Sequence, residues 1–495
     1  MLNSRSVLKL LPTTLAVFAV GCAVGPNFKA PPAPSVEHYT ATPLPEKTAE
    51  TAAPGGEAQV FLSGKDVPAQ WWRLFGSEKL NQLVREALAA NPSVTSAQAA
   101  LRQAQENLRA QTSTLFPTID ASFSGTRQKI DTASFGNPGG GGTIYNLYNA
   151  SVGVSYGLDI WGGTRRGVEA QAAAVDFQRY QLEATYQTLI ANVVTAAIRE
   201  AQQRQLIALE TGIIADQERL LKITERQFNT GGVGRADVLS AQSNLATERA
   251  KLPALNLQLT QAQNQLSFYL GKLPSERASS DFDLAELQLP KELPIALPST
   301  LVRQRPDIRA AEAQLHEASA NIGVATANLL PQVTITGSIG TQATTIDKLF
   351  SNNIFSLAGG VTQPLFHAGE LTAKRRAAIA AYDKTAADYR LAVLTAFQNV
   401  ADTLGALKTD AEALQAQRAA SDAAEASLRL TEKQYQLGGT SFLTLLNAQM
   451  VYSQVQTSYV QSLATRYQDT TALFQALGGG WTQRDPNDAT PAGAP

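Results

Sequence analysis

The chain has 495 residues, a net charge of −1 and a single cysteine, Cys22. A near-neutral charge argues against nucleic-acid binding, which requires a strongly basic surface. One cysteine excludes an intramolecular disulfide and a cysteine-based metal cluster. Stability must therefore come from packing.

The N-terminus has the layout of an export signal. Two basic residues precede an apolar run over 10–20, which is too short to span a bilayer that needs about 20 helical residues. We interpret residues 1–21 as a signal peptide. Cys22 follows directly, as in a lipoprotein processing box, although Ala19 stands where that box usually has leucine. We expect a covalent lipid on Cys22; the alternative is an ordinary signal with an incidental cysteine.

Residues 22–70 are rich in proline and alanine and have no apolar period. This composition predicts an extended, lipidated tether and not a packed element. Residues 479–495 have a similar composition, which predicts a flexible tail.

The sequence between these ends is written twice. The motif at 224–232 returns 207 positions later at 431–439, and self-similarity at a fixed offset indicates a duplicated unit. We assign the first repeat to 71–290 and the second to 291–478. Each repeat contains, in order, a helix, two strands, a long helix and a further helix.

Good helix formers dominate the helical segments, which we predict at 76–115, 164–229, 235–270, 307–329, 370–437 and 441–476. Two of them are long enough to make rods of roughly 100 Å at 1.5 Å per residue. Leucines recur every seven residues, for example at Leu245, Leu252 and Leu259. This spacing predicts a coiled-coil seam, and Pro253 is expected to kink or open the rod.

Period-two alternation of apolar and polar residues predicts four strands, at 118–128, 147–160, 332–342 and 354–365. Such strands are typical of an outer-membrane β-barrel, although a soluble sheet packed on helices would alternate in the same way. The export signal and a glycine-rich turn at 136–142 favour the barrel. Four strands leave two open edges, which cannot face lipid. The chain must then oligomerise, and three copies would supply twelve strands.

Specific motifs add a family resemblance. Three features resemble the outer-membrane efflux protein family: the segment from Ala23 to Phe28 after the glycine-cysteine pair, the prolines at the strand entries, and the paired glycines at 231–232 and 438–439 with the residues that follow them. The chain is similar to its TolC-like outer membrane factors, and in particular to their NodT-type lipoprotein branch. The resemblance extends from Cys22 to about Gly478.

The resemblance implies a mixed α and transmembrane β fold in the bacterial outer membrane. It implies a homotrimer, in which four strands per chain form a trimeric 12-stranded barrel that continues into a long coiled-coil helical tunnel in the periplasm. The implied partners are a periplasmic adaptor protein, an inner-membrane efflux pump and outer-membrane lipid. The implied function is passive export of drugs or other toxic small molecules, with no cofactor beyond the lipid.

The resemblance also places a gate at the periplasmic tip of the helices. The matching gate residues are Gln434, Tyr435, Leu443, Asn447, Arg226, Phe228 and Asp237. The matching adaptor contacts at the hairpin tips are Gly231, Gly232, Gly438 and Gly439.

The related efflux lipoproteins have an acidic residue where this chain has Asn447. We hypothesise that closure depends on apolar packing of Leu443 and hydrogen bonding of Tyr435 and Asn447. Cations should then block the channel little, since three amides neither bind cations nor repel one another as carboxylates do. The alternative is that Tyr435 and Leu443 simply pack the hairpin tip.

Other functions are weighed against this one. The three histidines have no metal-ligand spacing, so we predict neither an enzyme nor a metal site. A channel for heavy-metal ions or for type I polypeptide secretion would share the architecture, and a periplasmic coiled-coil scaffold lipoprotein would share the helices. The four alternating strands argue against a scaffold. The scarcity of methionine argues weakly against soft-metal export.

Overall fold

A computed structural model describes residues 23–130, 142–276, 280 and 282–483. The predicted signal peptide, Cys22 and most of the glycine-rich turn lie outside these residues. By contacts the chain divides into two compact units, each of which draws on both repeats. Among the described residues, unit 1 comprises those up to 31, 100–178 and 310–389, and unit 2 comprises 32–99, 179–309 and those from 390 onward.

In both repeats, two helices are followed by two long strands and then by two long helices. The helices are α1 (Glu78–Ala90), α2 (Pro92–Ser113), α3 (Gly163–Asn229), α4 (Arg235–Tyr269), α5 (Pro298–Gln304), α6 (Pro306–Ala327), α7 (Glu370–Gln436) and α8 (Phe442–Ala476). The strands are β1 (Val60–Ser63), β2 (Thr118–Ile130), β3 (Thr143–Leu158), β4 (Glu292–Ile295), β5 (Gln332–Ala343) and β6 (Asn353–Thr362).

The helix predicted over 76–115 is wrong in one respect, because two helices meet at Asn91. The residue before a proline is driven towards extended backbone, and Asn91 has φ −70° and ψ 125°. Its Oδ1 accepts the backbone N–H of Ser93 at 2.9 Å, which starts α2.

The long helices follow the sequence prediction closely. Both α3 and α7 have 67 residues. Helix α4 continues through Pro253 without interruption, so the proline does not end the helix, and the expected kink stays a prediction. Within the described part of the chain, no helix combines the length and apolar character needed to cross a membrane.

Unit 1 contains a four-stranded antiparallel sheet in the order β2-β3-β5-β6. The register places apolar residues opposite one another, as in Ile119 with Val154 and Ile339 with Phe355. The other face pairs small polar residues, and Ser122 and Ser151 share a hydrogen bond of 3.0 Å. The apolar face is exposed, with Phe355 at 83 %. The predicted alternation is therefore the alternation of a sheet whose apolar face lacks a cover within the described residues.

The N-terminal strap, residues 23–28, is bound to unit 1 by a set of direct contacts. Val24 N–H donates to Trp161 O at 2.9 Å. The buried Arg166 side chain donates to Val24 O at 3.2 Å and to Asn27 Oδ1 at 2.6 Å. The Phe28 ring stacks on His316 with the centroids 4.4 Å apart. This part of the predicted tether is fixed in place.

The strap crosses α6 at two glycines. Gly25 has φ +93°, and a Cβ on it would lie 2.5 Å from the Cα of Gly323. Both the left-handed backbone and the close approach require glycine at position 25.

Unit 2 has the main apolar core, and its centre is aromatic. Trp71 stacks on Phe474 with the ring centroids 5.2 Å apart, and Phe75 packs against Tyr467 at 6.2 Å. Side chains of α1, α3, α4, α5, α7 and α8 surround these rings. The burial of such large aromatic side chains is a principal source of stability.

The prediction of an unpacked tether is also wrong in unit 2. Strand β1 pairs in parallel with β4, and Gln59 beside it is fully buried. Arg466 Nη2 donates to Glu57 O at 2.6 Å and to Thr48 Oγ1 at 3.2 Å. The segment packs because a backbone carbonyl of Glu57 and the hydroxyl of Thr48 accept hydrogen bonds from a fully buried guanidinium.

The predicted flexible tail begins with packed residues. Gly479 lies against Gln187 so closely that a Cβ there would be 1.7 Å from Gln187 Oε1. The Trp481 indole donates to Gln304 O. Residues 479–481 are thus part of unit 2, held by contacts that the polar composition of the tail does not reveal.

Two carboxyl pairs lie between long helices of unit 2. In α3 and α4, burial and a hydrogen bond with Glu248 raise the pKa of Glu210 to about 7, while Lys251 acts in the opposite direction. In α7 and α8, burial and a hydrogen bond with Asp469 raise the pKa of Asp410 to about 7. Each pair favours the protonated acid.

Replacing Glu210 with glutamine should stabilise the protein at alkaline pH. Because the pKa is raised in the folded state, the carboxyl has no ionisation cost below about pH 4, and stability falls as the pH rises from there towards 7. Glu210→Gln should therefore raise the thermal unfolding temperature by about 2 °C or more at pH 8 and change it little at pH 4. Circular dichroism in detergent would measure this. The exposed Glu412→Gln is the control, and equal effects of both variants would contradict the assignment.

The glycine crossing should hold the strap. Gly25→Ala combines backbone strain with a clash, so trypsin cleavage after Lys29 should accelerate at least about tenfold, as expected for a loss of about 1.4 kcal/mol in local stability. Gly64→Ala is the matched control, because Gly64 has φ +81° and open space around it. If Gly64→Ala had the same effect, the close approach at Gly323 would not be what holds the strap.

Candidate functional site at the helix tips

Helices α3 and α4 form the first long helical hairpin, and α7 and α8 form the second. The same turn builds the tips of both. After α3, Gly232 N–H donates to Gln227 O at 2.7 Å, and after α7, Gly439 N–H donates to Gln434 O at 2.7 Å. Gly231 and Gly438 have φ +79° and +75°, the left-handed conformation that ends a helix of this kind. A Cβ on either would meet open space, and all four tip glycines are exposed.

The following helices begin with different caps. In α4, Asp237 Oδ2 accepts the Gly234 N–H at 3.1 Å. In α8, Ser441 Oγ accepts the Thr444 N–H at 3.2 Å. Asp237 was predicted as a gate residue, and its carboxylate is used here to cap the helix, where it also complements the helix dipole.

An apolar cluster, the tip cluster, joins the two hairpins within unit 2. Its buried members are Leu220, Ala241, Tyr435, Phe442 and Leu445. The rings of Tyr435 and Phe442 meet edge to face, with centroids 5.9 Å apart. The tip cluster contains residues of both repeats, so it holds one hairpin against the other.

Tyr435 also makes the central polar contact. It is only 6 % exposed, and its hydroxyl donates to Gln227 Oε1 at 2.8 Å. This bond joins α7 to α3 and satisfies a phenol that would otherwise be buried without a partner. Of the predicted gate residues, Tyr435 is the one that the structure places in a contact between the repeats.

The other predicted gate residues lie on the surface of the chain. Gln434, Asn447 and Arg226 are exposed, as are Leu443 at 63 % and Phe228 at 41 %. The expectation that Leu443 packs the tip is not met within the chain, because its neighbour Phe442 faces the tip cluster instead. Leu443 and Asn447 are four residues apart and share one exposed helix face.

Sequence reasoning missed Gln227 and Phe442 as tip residues. A comparison of the repeats position by position contains a usable signal for Gln227. The pair Gln227-Phe228 corresponds to Gln434-Tyr435 at the offset of 207. Of the two aromatic residues, only Tyr435 has a hydroxyl. Its hydrogen-bond acceptor therefore had to be sought among residues outside this aromatic pair.

A half-buried carboxyl, Glu432, lies on α7 near an acid of α3. Burial, with the nearby Asp216 carboxylate, raises the pKa of Glu432, and Arg219 opposes this shift. Asp216 lies on α3, in the first repeat, and Glu432 lies on α7, in the second repeat. Within one chain, the two tips are therefore joined by the Tyr435–Gln227 hydrogen bond and the tip cluster, with carboxyl groups of both repeats close by.

Known proteins are similar to this chain in sequence and in fold. The family model for outer membrane efflux proteins matches residues 83–272 and 297–479. The antibiotic efflux pump outer membrane protein ArpC of Pseudomonas putida is 30% identical over 488 residues, which cover 97% of each chain. The pyoverdine export outer membrane protein OpmQ of Pseudomonas aeruginosa is 30% identical over 419 residues, covering 83% of this chain and 87% of the relative.

Solved structures agree with the sequence matches. The outer-membrane channel OprN superposes with a TM-score of 0.82 at 27% identity, covering 93% of this chain and 100% of that one. The open state of the MtrE outer membrane channel of Neisseria gonorrhoeae gives 0.79 at 26% identity, covering 93% and 99%. The chain therefore belongs to the outer membrane efflux protein family and is an outer-membrane channel of an efflux system.

Proposed function

We propose that three copies of this chain form a closed tube whose passage is controlled at the helix tips. The observation that carries this proposal is the four-stranded sheet, which has an exposed apolar face and, within the described residues, no partner strand on the outer edges of β2 and β6. Lipid cannot satisfy those edges. Because neighbouring strands alternate in direction, β6 of one copy can pair antiparallel with β2 of the next. Three copies then close a twelve-stranded barrel, within the known size range.

The cargo we propose is small organic molecules, delivered by an inner-membrane pump through a periplasmic adaptor. The relatives ArpC and OpmQ are named for antibiotic efflux and pyoverdine export. Both names support small organic molecules over metal ions or polypeptides, and that of ArpC supports drugs among them. The exposed glycine turns at 231–232 and 438–439 are the proposed contacts with the adaptor, since bare backbone there is open to a partner.

We also propose that Cys22 carries the lipid. The contacts of the strap support this, because they fix the chain from the very next residue. Ala23 lies against Gly162, in the turn that links β3 to α3. An acyl group attached one residue earlier would then begin close to the end of a membrane strand, where it could enter the lipid.

Removing the Tyr435 hydroxyl should favour the open tip. Tyr435→Phe keeps the ring in the tip cluster and breaks only the bond to Gln227, which is worth about 1 kcal/mol. We expect the open population, measured as conductance in planar lipid bilayers, to rise about fivefold. Tyr269→Phe, which removes a hydroxyl bonded to Gln265 higher on α4, should leave conductance unchanged. If the conductance of Tyr435→Phe stayed at the wild-type value, the assignment of the gate to the helix tips would be contradicted.

Asn447 should make the channel insensitive to divalent cations. In a trimer, Asn447→Asp would place three carboxylates together, and such a ring binds cations. Millimolar Mg²⁺ should then reduce the conductance of Asn447→Asp severalfold and leave the wild-type channel unaffected. Gln454→Asp adds the same charge to an exposed position of α8 as a control. Wild-type block by millimolar divalent ions that disappears in Asn447→Ala would contradict this proposal.

A further inference from the structure

A buried pair of amides joins the two repeats beyond the tip cluster. Gln217 Nε2 of α3 donates to Gln449 Oε1 of α8 at 2.8 Å. The two residues are 4 % and 7 % exposed. Gln217 lies three positions before Leu220 and Gln449 four positions after Leu445, so both lie on the helix faces that form the tip cluster. An uncharged, hydrogen-bonded polar pair therefore lies next to the apolar side chains of the tip cluster.

The geometry of this pair makes it sensitive to helix alignment. Two buried amides are satisfied only when they face each other, and a shift of one helix along the other would leave both without partners. A polar residue at a single seam position is known to specify register in coiled coils at a cost in stability. The Gln217–Gln449 bond thus favours one alignment of α8 on α3.

Comparison of the repeats shows that only one of the two equivalent contacts has this bond. At the offset of 207, Gln449 corresponds to Gln242 and Gln217 corresponds to Ala424. A methyl group cannot accept or donate, and Gln242 is exposed. The amide pair is therefore absent from the contact that the duplication would generate, and its presence between α3 and α8 is specific.

The hydrogen bond of Tyr435 is likewise present in only one of the two equivalent contacts. Its counterpart is Phe228, which has no hydroxyl. Both bonds, Tyr435 to Gln227 and Gln217 to Gln449, have one partner on α3 and the other on the second hairpin. Helix α3 is thus the element to which the second hairpin is held by specific polar contacts.

We propose that Gln217 and Gln449 are positioning residues that form a second latch, which holds the second hairpin in the closed register on α3 and must break when the tip opens. This inference rests on the proposed gating function. It predicts that repulsion between these two positions opens the tip even with Tyr435 intact.

The test is the double variant Gln217→Glu/Gln449→Glu, compared at pH 5 and pH 9. At pH 5 the two acids share a proton and can replace the amide bond. At pH 9 both ionise and repel each other. We expect bilayer conductance to be near wild type at pH 5 and at least about tenfold higher at pH 9. Each single variant should stay near wild type at both pH values, because the remaining amide can donate to the new carboxylate.

Two controls separate the latch from other titrations. The natural pairs that titrate near this range, Glu210 with Glu248 and Asp410 with Asp469, are present in the wild-type chain, whose own pH profile corrects for them. The control Gln242→Glu/Gln454→Glu adds two exposed carboxylates to α4 and α8 and should show the wild-type profile.

The charge-paired variant Gln217→Glu/Gln449→Lys tests the repulsion itself. The opposite charges attract, so this variant should remain closed at pH 9. If it opened as the double glutamate variant does, repulsion between these positions would not be the cause, and the proposal would be overturned.

A distance measurement separates failure of the latch from failure of the gate. Spin labels at Lys222→Cys and Leu443→Cys, one on each hairpin, report the spacing of α3 and α8 in the purified full chain. A distribution that broadens at pH 9 in the double glutamate variant supports the latch. If it broadened without a rise in conductance, the latch would stand and the tip would not be the gate. An unchanged distribution would overturn the latch.

Discussion

The unsatisfied edges of a four-stranded sheet are the constraint on which the rest of the molecule depends. Backbone N–H and C=O groups on the outer sides of β2 and β6 have no partner strand among the described residues, and hydrocarbon offers none. A soluble sheet could leave such edges to water, but the apolar face seen in Phe355 and Ile339 favours lipid. Pairing with copies of the same sheet satisfies the strand edges and leaves the apolar face to the lipid. The assembled tube therefore follows from the unpaired edges of a single chain.

The duplication supplies the architecture, and the differences between the copies supply the specificity. Helices α3 and α7 have equal lengths, and the turns that follow them use the same hydrogen bonds. At equivalent positions, however, Tyr435 replaces Phe228, and Ala424 replaces Gln217. A symmetric ring of equivalent contacts would have no preferred place to open. Polar contacts that exist in one copy only can define which interfaces hold and which are free to move.

Local patterns predicted the long-range architecture well where the period was regular, and failed where a distant partner decided the structure. The strands and the two long helices follow from alternation and from helix-forming composition. By contrast, β1 forms because residue 60 meets residue 292, and the strap packs because the buried Arg166 donates hydrogen bonds to Val24 and Asn27. Proline-rich sequence carries no trace of such partners. The motif predicts the tip and places Tyr435 in it, but Gln227, Phe442 and the Gln217–Gln449 pair are recognised only from the packing of four helices against one another.

Polar groups in the helical seam are best explained by what opening would expose. Two leucines at positions 217 and 449 would bind α3 to α8 more strongly, and exposing them would cost about 1.5–3 kcal/mol each. Two amides lose one another but gain water, so the net cost of breaking their bond is only about 0.5–1.5 kcal/mol. The same argument applies to the Tyr435 hydroxyl. A seam closed by such bonds is specific in its alignment and inexpensive to open, which is the combination that a gate requires.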